Sequence, residues 1–317
     1  MAAQNIPVVD LREWHAGGEA RQRFITTLGE GLAEIGFFAV QHHGISDELT
    51  KRAYSAARQF FHLPTETKAR YHDPEKHGQR GFTGFGTEHA RDSKAPDLKE
   101  FWQVGRPGVP DDHPVHRVYG PNYWPSEVAD FGPALSQLYQ HLDELGASLL
   151  EAAAAYIGEA PEHFRDMVTD SDTIVRVLYY PPVVGTVPPG AIRSAAHEDI
   201  NLITLLSGAT AEGLELLQRD GSWRAVHTGF DTIVVDAGDM LQNMTNGLYK
   251  STTHRVVNPG HASASERFSM PCFVHARREV ELAPLASCIA RTGGVAKYAK
   301  ITAGEYLTQR LREIGLG

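Results

Sequence analysis

The second half of the chain changes in texture near residue 173, and this change limits the folds available to it. Short runs rich in β-branched and aromatic residues follow one another between turn residues: TIVRVLYY, NLITLLS, GLELLQ, WRAV, TIVVDAGDMLQNM, THRVV and RFSMPCFVHA. The pair Asp220-Gly221 lies between two of these runs and is a strong hairpin signal. Several strands at this spacing predict a closed or sandwiched antiparallel β core, such as a jelly roll.

Helical patterns flank this core. The first third of the chain predicts a strand at IPVVDL, a helix at EARQRFITTLGEGLAEIG, a strand at GFFAVQHHG and a helix from Ser46 to Phe61, with Ser46 as a candidate N-cap. Apolar positions that step by three and four predict an amphipathic helix at Leu135, Leu138, Leu142, Leu145 and Leu149. The segment TAGEYLTQRLREIGL predicts a C-terminal helix. The predicted fold class is α+β with a mainly β core, a double-stranded β-helix (jelly roll) flanked by N-terminal and C-terminal helices.

We expect two regions that form one structural unit. Residues 1–125 form an N-terminal helix/strand region with a lid that packs on the core, and residues 126–317 form the jelly-roll catalytic core with its flanking helices. Residues 62–125 are rich in Gly, Pro, His and charge with little periodicity, which predicts loops. Segment 78–105 is the candidate lid, although its mixed residues could equally form a solvated loop; they include Arg80, Phe82, Phe85, His89 and Arg91.

Charge and cysteine usage exclude some classes of protein. The 30 Lys and Arg against 39 Asp and Glu give a net charge of −9, without a basic run, so we expect no nucleic-acid partner. Cys272 and Cys288 are too few for a disulfide framework and suit a reducing compartment. The start MAAQNIPVVDL does not resemble a signal peptide, and ASLLEAAAAYIG is too short to span a bilayer. These observations predict a cytoplasmic protein without a membrane partner.

Two His-x-Asp pairs occur in the sequence, and the predicted secondary structure distinguishes them. His141 and Asp143 lie in the leucine-striped helix, where residues two apart point about 200° apart and cannot hold one ion. His197 and Asp199 open an apolar run typical of a strand, where residues two apart share a face and the residue between them, Glu198, points away. The strand period therefore selects His197 and Asp199 as candidate metal ligands.

A third protein ligand must come from further along the chain, where the candidates are His227, His254, His261 and His275. His261 lies in a Gly/Ala/Ser-rich loop, and His227 ends a strand just after the hairpin, so neither is expected to be a rigid ligand. His254 lies in STTHRVV, whose β-branched residues would fix its rotamer. It is the best third ligand.

A second pair suits a carboxylate ligand. Arg267 and Ser269 are two apart in a predicted strand, so a guanidinium and a hydroxyl face the same way. If the bound acid also reaches the metal, the third histidine must lie near Arg267, whereas His275 is about 26 Å away along an extended strand. Two histidines and one carboxylate with open positions suit non-haem Fe(II). With the adjacent Arg/Ser anchor, they indicate 2-oxoglutarate as the acid.

At this point the sequence resembles the isopenicillin N synthase-like branch of the iron- and 2-oxoglutarate-dependent oxygenases. IPVVDL, GFFAVQHHGI and FFHLPTETKARYH resemble the family's N-terminal region, and HEDINLITLL, DAGDMLQNMTNGLYKSTTHRVV and RFSMPCFVHA resemble its catalytic core. The resemblance covers nearly the whole chain. It implies an iron triad of His197, Asp199 and His254 and a co-substrate anchor of Arg267 and Ser269.

The resemblance also implies a reaction. Fe(II), O2 and 2-oxoglutarate would oxidise an unactivated C–H bond of a small molecule, usually by hydroxylation, while 2-oxoglutarate is converted to succinate and CO2. Tyr180 would join the anchor for the far carboxylate of 2-oxoglutarate. Two positions depart from the family pattern: Leu178 replaces an expected Asn, and Ala276 replaces the Pro expected after His275, which we interpret as a structural residue.

Two alternatives remain open from the sequence. Some members of this family are oxidases that use O2 without 2-oxoglutarate, and their Arg-x-Ser pair holds the carboxylate of the substrate itself. The loss of the expected Asn at Leu178 keeps this option open. A jelly-roll binding protein with a vestigial site is the alternative from another class, although all three triad ligands are present.

Overall fold

Two β-sheets build the centre of the protein. The structure is a computed structural model that describes residues 6–88, 97–182, 192–226, 229–258, 265–314 and 316. The larger sheet has eight strands, in spatial order β1 (Val8–Asp10), β2 (Phe37–Gln41), β10 (Thr232–Ala237), β7 (Ile203–Ser207), β12 (Arg267–Val274), β5 (Ile174–Tyr180), β4 (Glu100–Val104) and β3 (Gly81–Thr83). The smaller sheet has four, in the order β6 (Ser194–His197), β11 (His254–Val256), β8 (Leu214–Leu217) and β9 (Trp223–Ala225).

The two sheets pack face to face through a small apolar cluster. Phe37 and Val234 of the larger sheet belong to one buried cluster with Leu214 and Leu216 of the smaller sheet. All strand pairs are antiparallel apart from the parallel pair β1 and β2. The predicted hairpin is confirmed, since β8 pairs with β9 across a turn in which Gly221 has a φ of 83°. The predicted double-stranded β-helix is therefore confirmed.

Nine α-helices occur in the described part of the chain, and α2, α4 and α5 contact strands of the larger sheet. They are α1 (Leu11–Ala16), α2 (Gly18–Glu34), α3 (Asp47–Phe61), α4 (Thr65–Ala69), α5 (Phe131–Ile157), α6 (Glu162–Val168), α7 (Asp239–Met244), α8 (Ala286–Arg291) and α9 (Ala303–Glu313). Helix α5 carries the predicted leucine stripe and packs on β5, β7 and β12. Ser46 caps α3, as predicted, by accepting a hydrogen bond from the backbone N–H of Leu49. No helix of the described residues has the length and apolar character needed to cross a membrane.

The prediction of loops across residues 62–125 was wrong in part. Besides α4, this region contributes β3 and β4, which extend the larger sheet beyond β5. Within the candidate lid, Arg80 and Phe82 are buried, whereas Phe85 is exposed. His89 and Arg91 lie outside the described residues. Part of the candidate lid therefore forms strands of the larger sheet.

A close approach at Gly36 fixes the end of α2 against the segment that leads into β11. Gly36 has a φ of +82°, and a Cβ there would lie 2.3 Å from the carbonyl oxygen of Lys250 and 2.5 Å from Oγ1 of Thr252. The Thr252 hydroxyl donates to the carbonyl of Ile35 at 2.6 Å. This contact leaves little room for a side chain at residue 36 or for a shift of its backbone.

We expect Gly36→Ala to lower the free energy of unfolding by about 3 kcal/mol, because backbone strain and a clash with main-chain atoms add. Gly44→Ala is the matched control: Gly44 has a φ of +80° with nothing within 4 Å of the added Cβ. This control should cost about 1 kcal/mol from strain alone. Urea denaturation of both variants measures the difference, and equal losses would contradict the close approach.

Candidate active site

The two predicted ligands of the His-x-Asp pair lie where the chain passes from one sheet to the other. His197 is the last residue of β6, and Asp199 follows it in the connection to β7. The prediction that both residues open a strand was therefore wrong, because β6 ends at His197 and β7 begins only at Ile203. Glu198 nevertheless points away from Asp199, since its carboxylate accepts a hydrogen bond from the hydroxyl of Thr253.

His254 is brought to this connection by strand pairing. It is the first residue of β11 and lies opposite His197 in the register of β11 and β6. One potential ligand atom each from His197, Asp199 and His254 lie within 4.8 Å of one another. Among the described residues, this is the one group of three or more His, Cys, Asp or Glu side chains arranged in this way.

The hydrogen bonds of the two imidazoles direct one nitrogen of each ring towards Asp199. Nδ1 of His197 is 2.7 Å from the carbonyl oxygen of Ala195, and Nδ1 of His254 is 3.2 Å from that of Thr252. A carbonyl only accepts, so each Nδ1 carries the proton and each Nε2 keeps a free lone pair. These Nε2 atoms lie 3.6 and 3.8 Å from Oδ1 of Asp199, which is too long for hydrogen bonds.

The electrostatics of the three side chains suit a divalent cation. Burial, with the neighbouring His197 ring, lowers the pKa of His254, so this imidazole is neutral, as a metal ligand must be. Oδ2 of Asp199 accepts a hydrogen bond from the hydroxyl of Thr204, which leaves Oδ1 for the metal. Two imidazoles and one carboxylate are the donor set of non-haem Fe(II) oxygenases. The residues present therefore fit iron.

The predicted carboxylate anchor lies in a cavity between the two sheets, beside the triad. This cavity encloses about 610 Å³ of empty space, its opening included, and Arg267, Ser269 and Tyr180 all line it together with His197, Asp199 and His254. Nη1 of Arg267 donates to the hydroxyl oxygen of Ser269 at 3.0 Å. Tyr180 pairs with Arg267 across β5 and β12, and its ring centroid is 5.1 Å from the guanidinium carbon. The structure thus brings all six predicted residues to one cavity.

Further polar residues of this cavity were not predicted from the sequence. Lys99 and Arg176 line it alongside Leu178, which stands opposite Ser269 in the strand pairing. Asp236 lines it from β10, and burial, with the charge of Asp199 adding to it, raises the pKa of this carboxyl well above its usual range. The available signal was a lone charge in a buried apolar run, as at Arg176 in TIVRVLYY and Asp236 in TIVVDA.

A second, larger cavity meets the first at His197 and Asp199. It encloses about 960 Å³ of empty space, its opening included. Four charged side chains that line it form a network that we call the charge quartet: the buried Glu88, Asp97 and Lys99 and the half-buried Arg176. Leu307 and Leu311 of α9 and Ile314 just after it also line the cavity, together with Arg310 of the same helix. The cavity therefore has both polar and apolar lining.

Short ion pairs hold the charge quartet together. Nζ of Lys99 lies 2.7 Å from Oε2 of Glu88 and 2.7 Å from Oδ2 of Asp97, and Nη1 of Arg176 lies 2.9 Å from Oε1 of Glu88. Burial alone would raise the pKa of Glu88, but the charges of Arg176 and Lys99 outweigh it and lower the pKa to about 2. Burial would likewise lower the pKa of Lys99, but the two carboxylates raise it. Glu88 and Lys99 are therefore charged at neutral pH.

The lowered pKa of Glu88 predicts a pH-dependent contribution to stability. Because the folded-state pKa is about 2 and the ordinary value is 4.5, this contribution is fully present above pH 4.5 and is lost as the pH falls through about 2. It amounts to roughly 3 kcal/mol. We expect Glu88→Gln to lower the free energy of unfolding more at pH 7 than at pH 3, measured by guanidinium denaturation. A pH-independent difference between the two proteins would contradict this assignment.

His275 also lines the larger cavity, and its interpretation as a purely structural residue is therefore incomplete. The side chain is buried, and Nδ1 has no hydrogen-bond partner among the described residues. Burial lowers its pKa to about 4, so the ring is neutral, and both Asp199 and Arg176 are close enough to influence it electrostatically. His275 is not one of the three clustered ligands, in agreement with its exclusion from the predicted triad.

The remaining candidates lie elsewhere. His141 and Asp143 lie in α5, as predicted, and Asp143 accepts a hydrogen bond from Nη1 of Arg106 at 2.8 Å. This pair is not part of the cluster. His227 and His261 fall outside the described residues.

Comparison with known families agrees with this geometry. Residues 6–127 match the model of the non-haem dioxygenase in morphine synthesis N-terminal region, and residues 171–276 match that of the 2OG-Fe(II) oxygenase superfamily. The 2-oxoglutarate-dependent dioxygenase traH of Penicillium crustosum is 33% identical over 280 residues, covering 85% of this chain and 84% of that protein. This chain belongs to the 2OG-Fe(II) oxygenase superfamily.

Other members of the superfamily match over nearly the whole chain. Validamycin A dioxygenase of Streptomyces hygroscopicus subsp. limoneus is 30% identical over 96% of this chain and 86% of its own. A crystal structure of a Caulobacter crescentus protein of the 2OG-Fe(II) oxygenase family has a TM-score of 0.86 at 36% identity, covering 98% and 99% of the two chains. A full-length Neurospora crassa protein in complex with alpha-KG and thymine has a TM-score of 0.86 at 27% identity, covering 97% and 96%.

Membership of this superfamily answers the questions left open by the sequence. The protein is a non-haem Fe(II)- and 2-oxoglutarate-dependent dioxygenase, with O2 as the oxidant. Matching relatives are named as 2-oxoglutarate-dependent dioxygenases, which supports 2-oxoglutarate use over the oxidase alternative.

Proposed function

We propose that His197, Asp199 and His254 hold the Fe(II) of this dioxygenase and that Arg267, Ser269 and Tyr180 hold the far carboxylate of 2-oxoglutarate. One observation carries the proposal. Both Nε2 atoms lie within 4 Å of Oδ1 of Asp199, and the cavity that these residues line is also lined by the hydrogen-bonded Arg267 and Ser269. A five-carbon diacid spans such a cavity with one end at the metal and the other at the guanidinium.

When bound, Fe(II) supplies the activation of O2 that oxidises a C–H bond while 2-oxoglutarate becomes succinate and CO2. The chain itself positions the reactants. Arg267 is 1% exposed, so its charge-assisted bonds to a carboxylate form in a medium of low dielectric constant. Its Nε is already fixed by the carbonyl of Ala211 at 3.0 Å, which holds the guanidinium in one orientation.

The larger cavity is the proposed substrate site. It meets the co-substrate cavity at His197 and Asp199, so a molecule bound there lies next to the metal ligands. Its apolar lining on α9 restricts the access of water to the reacting atoms. Among the relatives, homoarginine-6-hydroxylase of Oryza sativa is 31% identical over 90% of this chain and 88% of its own. We propose a small molecule as the substrate here as well.

The experiment that tests this function is a stoichiometric assay. The protein is reconstituted anaerobically with Fe(II), exposed to O2 and 2-oxoglutarate, and screened against a metabolite library. The expected result is formation of succinate and CO2 in equal amounts, stimulated by a subset of the library. Turnover of a library compound with O2 but without consumption of 2-oxoglutarate would overturn the proposed role of Arg267, Ser269 and Tyr180.

The proposed setting is the cytoplasm. Cys272 and Cys288 are both free thiols, as expected in a reducing compartment. The net charge of −9 disfavours binding to nucleic acid. Cell fractionation followed by immunoblotting would test the location.

A further inference from the structure

The four charges of the charge quartet cancel, and this limits the charge that a substrate can carry. Two cations, Lys99 and Arg176, face two carboxylates, those of Glu88 and Asp97, so the four charges sum to zero in the described part of the chain. Asp97 is fixed further because its Oδ1 accepts a hydrogen bond from the backbone N–H of Ala195 in β6, at 3.0 Å. A carboxylate or ammonium group that entered this end of the cavity would find no unpaired opposite charge among the described residues of the charge quartet. Burying an unpaired charge is costly.

Hydrogen-bond donors are nevertheless unused at the same end. Arg176 donates through Nε to Gln103 and through Nη1 to Glu88, whereas its Nη2 donates to none of the described residues. The guanidinium is held by aromatic rings on two sides, with its central carbon 4.4 Å from the centroid of Phe101 and 5.2 Å from that of Phe273. Such a group is rigid and has a donor available for a neutral acceptor.

His275 supplies a second unused polar group. It follows the end of β12, and it lines the cavity two residues after Phe273. Its Nδ1 is one of the buried side-chain atoms that have no hydrogen-bond partner among the described residues. A buried polar atom without a partner costs free energy unless a ligand or water bonds to it. Arg176 and His275 thus flank the same part of the cavity with unused hydrogen-bonding capacity.

The other charged groups of this cavity are already engaged. Arg310 of α9 pairs with Asp239 at 3.2 Å, and Glu198 accepts from Thr253. Asp199 and His197 are the proposed iron ligands. Leu307, Leu311 and Ile314 supply apolar lining to the same cavity. An occupant therefore meets both hydrogen-bonding groups and aliphatic carbon.

We propose that the larger cavity binds an uncharged small molecule with a hydrogen-bond-accepting oxygen against Arg176 and His275 and an apolar body against α9. The proposal rests on the proposed function, because it takes this cavity to be the substrate site. The chemical class is a neutral amide, lactam, ketone or alcohol. Carboxylic acids and amines of the same skeleton are excluded by the balanced quartet.

The test uses three probes of one skeleton: benzamide, benzoate and benzylammonium, repeated with the corresponding cyclohexane compounds. Binding is measured by ligand-observed NMR on the anaerobic Fe(II) enzyme with saturating 2-oxoglutarate, so that the anchor at Arg267 is already filled. We expect the neutral amides to bind at least about tenfold more tightly than either charged analogue. Tighter or equal binding of a charged analogue, or no binding of the amides at millimolar concentration, would overturn the proposal.

Two variants should shift the expected order of binding in opposite directions, one in favour of the anion and the other in favour of the cation. Glu88→Gln leaves the quartet with one excess positive charge, so benzoate should gain at least about tenfold relative to benzamide. Lys99→Met leaves one excess negative charge, so benzylammonium should gain instead. Glu162→Gln, at an exposed position on α6, changes the net charge of the protein as Glu88→Gln does and should leave the order unchanged. Thermal melting checks that each variant is folded, and an unchanged order in both quartet variants contradicts the charge argument.

His275→Phe removes the second unused polar group of the larger cavity without altering any charge. Loss of one hydrogen bond should weaken benzamide binding about fivefold while the charge order stays. Unchanged affinity would remove His275 from the proposed site. Failure of the proposed function is distinguishable, because the enzyme would then bind neither Fe(II) nor 2-oxoglutarate, whereas failure of this inference alone leaves both intact and changes only the probe order.

Discussion

Asp199→Ala should lower the affinity of the protein for Fe(II) by more than about 100-fold and abolish succinate formation. Asp199 is the one charged member of the clustered triad, and its Oδ1 faces both Nε2 atoms. Loss of a residue that only orients a ligand costs up to about 100-fold in metal affinity, so loss of the ligand itself should cost more. Anaerobic titration with Fe(II) and a succinate assay measure the two effects.

The adjacent carboxylate provides the control for this experiment. Glu198→Ala removes the same charge one residue away, but its carboxylate bonds to Thr253 and lies outside the ligand cluster. This variant should bind Fe(II) within a few-fold of the wild type. Circular dichroism should show that Asp199→Ala is folded, since the side chain replaced is held by one hydrogen bond from Thr204. Equal loss of iron in both variants would show that local charge, rather than ligation, controls metal binding.

Arg267→Met should weaken binding of 2-oxoglutarate by about 1000-fold and leave Fe(II) affinity nearly unchanged. The guanidinium is buried and donates to the Ser269 hydroxyl, so a bound carboxylate would lose a buried cationic partner. Truncating one member of a buried, hydrogen-bonded charge pair costs about 2–5 kcal/mol, which corresponds to between about 30-fold and several thousand-fold. Calorimetric titration of 2-oxoglutarate into the anaerobic iron-loaded enzyme measures the loss.

A second buried arginine near Tyr180 allows a matched comparison. Arg193 is also 1% exposed and lies with its guanidinium carbon 5.9 Å from the Tyr180 centroid, but it donates to the carbonyl of Ser265 and does not line the co-substrate cavity. Arg193→Met, which removes the same charge as Arg267→Met, should change 2-oxoglutarate affinity by no more than a few-fold. A similar loss in both variants would indicate that the positive potential of the region, and not the Arg267 anchor, binds the co-substrate.

Local patterns predicted much of the fold because the corresponding elements are set by nearby residues. The leucine stripe of α5, the Ser46 cap of α3 and the Asp220-Gly221 hairpin all depend on contacts within a few residues of one another. The prediction was wrong where an element depends on distant partners. Strand β4 contains Glu100 and Gln103, and the latter accepts from Arg176 on β5, 73 positions away, so its polar residues are paired in a way that periodicity does not reveal.

The residues of the candidate site divide in the same way, into those that local patterns predict and those that depend on distant partners. The proposed iron ligands His197 and Asp199 and the pair of Arg267 and Ser269 could be selected by residue type and two-residue spacing. His254 was selected by its β-branched neighbours. The charge quartet could not be selected from local patterns, since Glu88 and Arg176 are 88 positions apart and meet only after β4 and β5 pair. The strand assumed for His197 and Asp199 was wrong, yet the selection of Asp199 over Glu198 agrees with the geometry. A turn between two sheets here separates neighbouring side chains as a strand would.

Strand β12 contributes to both cavities. Arg267 at its beginning lines the co-substrate cavity, Phe273 near its end lines both cavities, and His275 just beyond it lines the larger one. The pairing of β12 with β5 and β7 on either side prevents these residues from shifting separately along the strand. Substitutions beyond Phe273 can therefore alter the compound accepted without moving the co-substrate. One rigid strand thus allows the residues at its C-terminal end to vary while those at its N-terminal end stay the same.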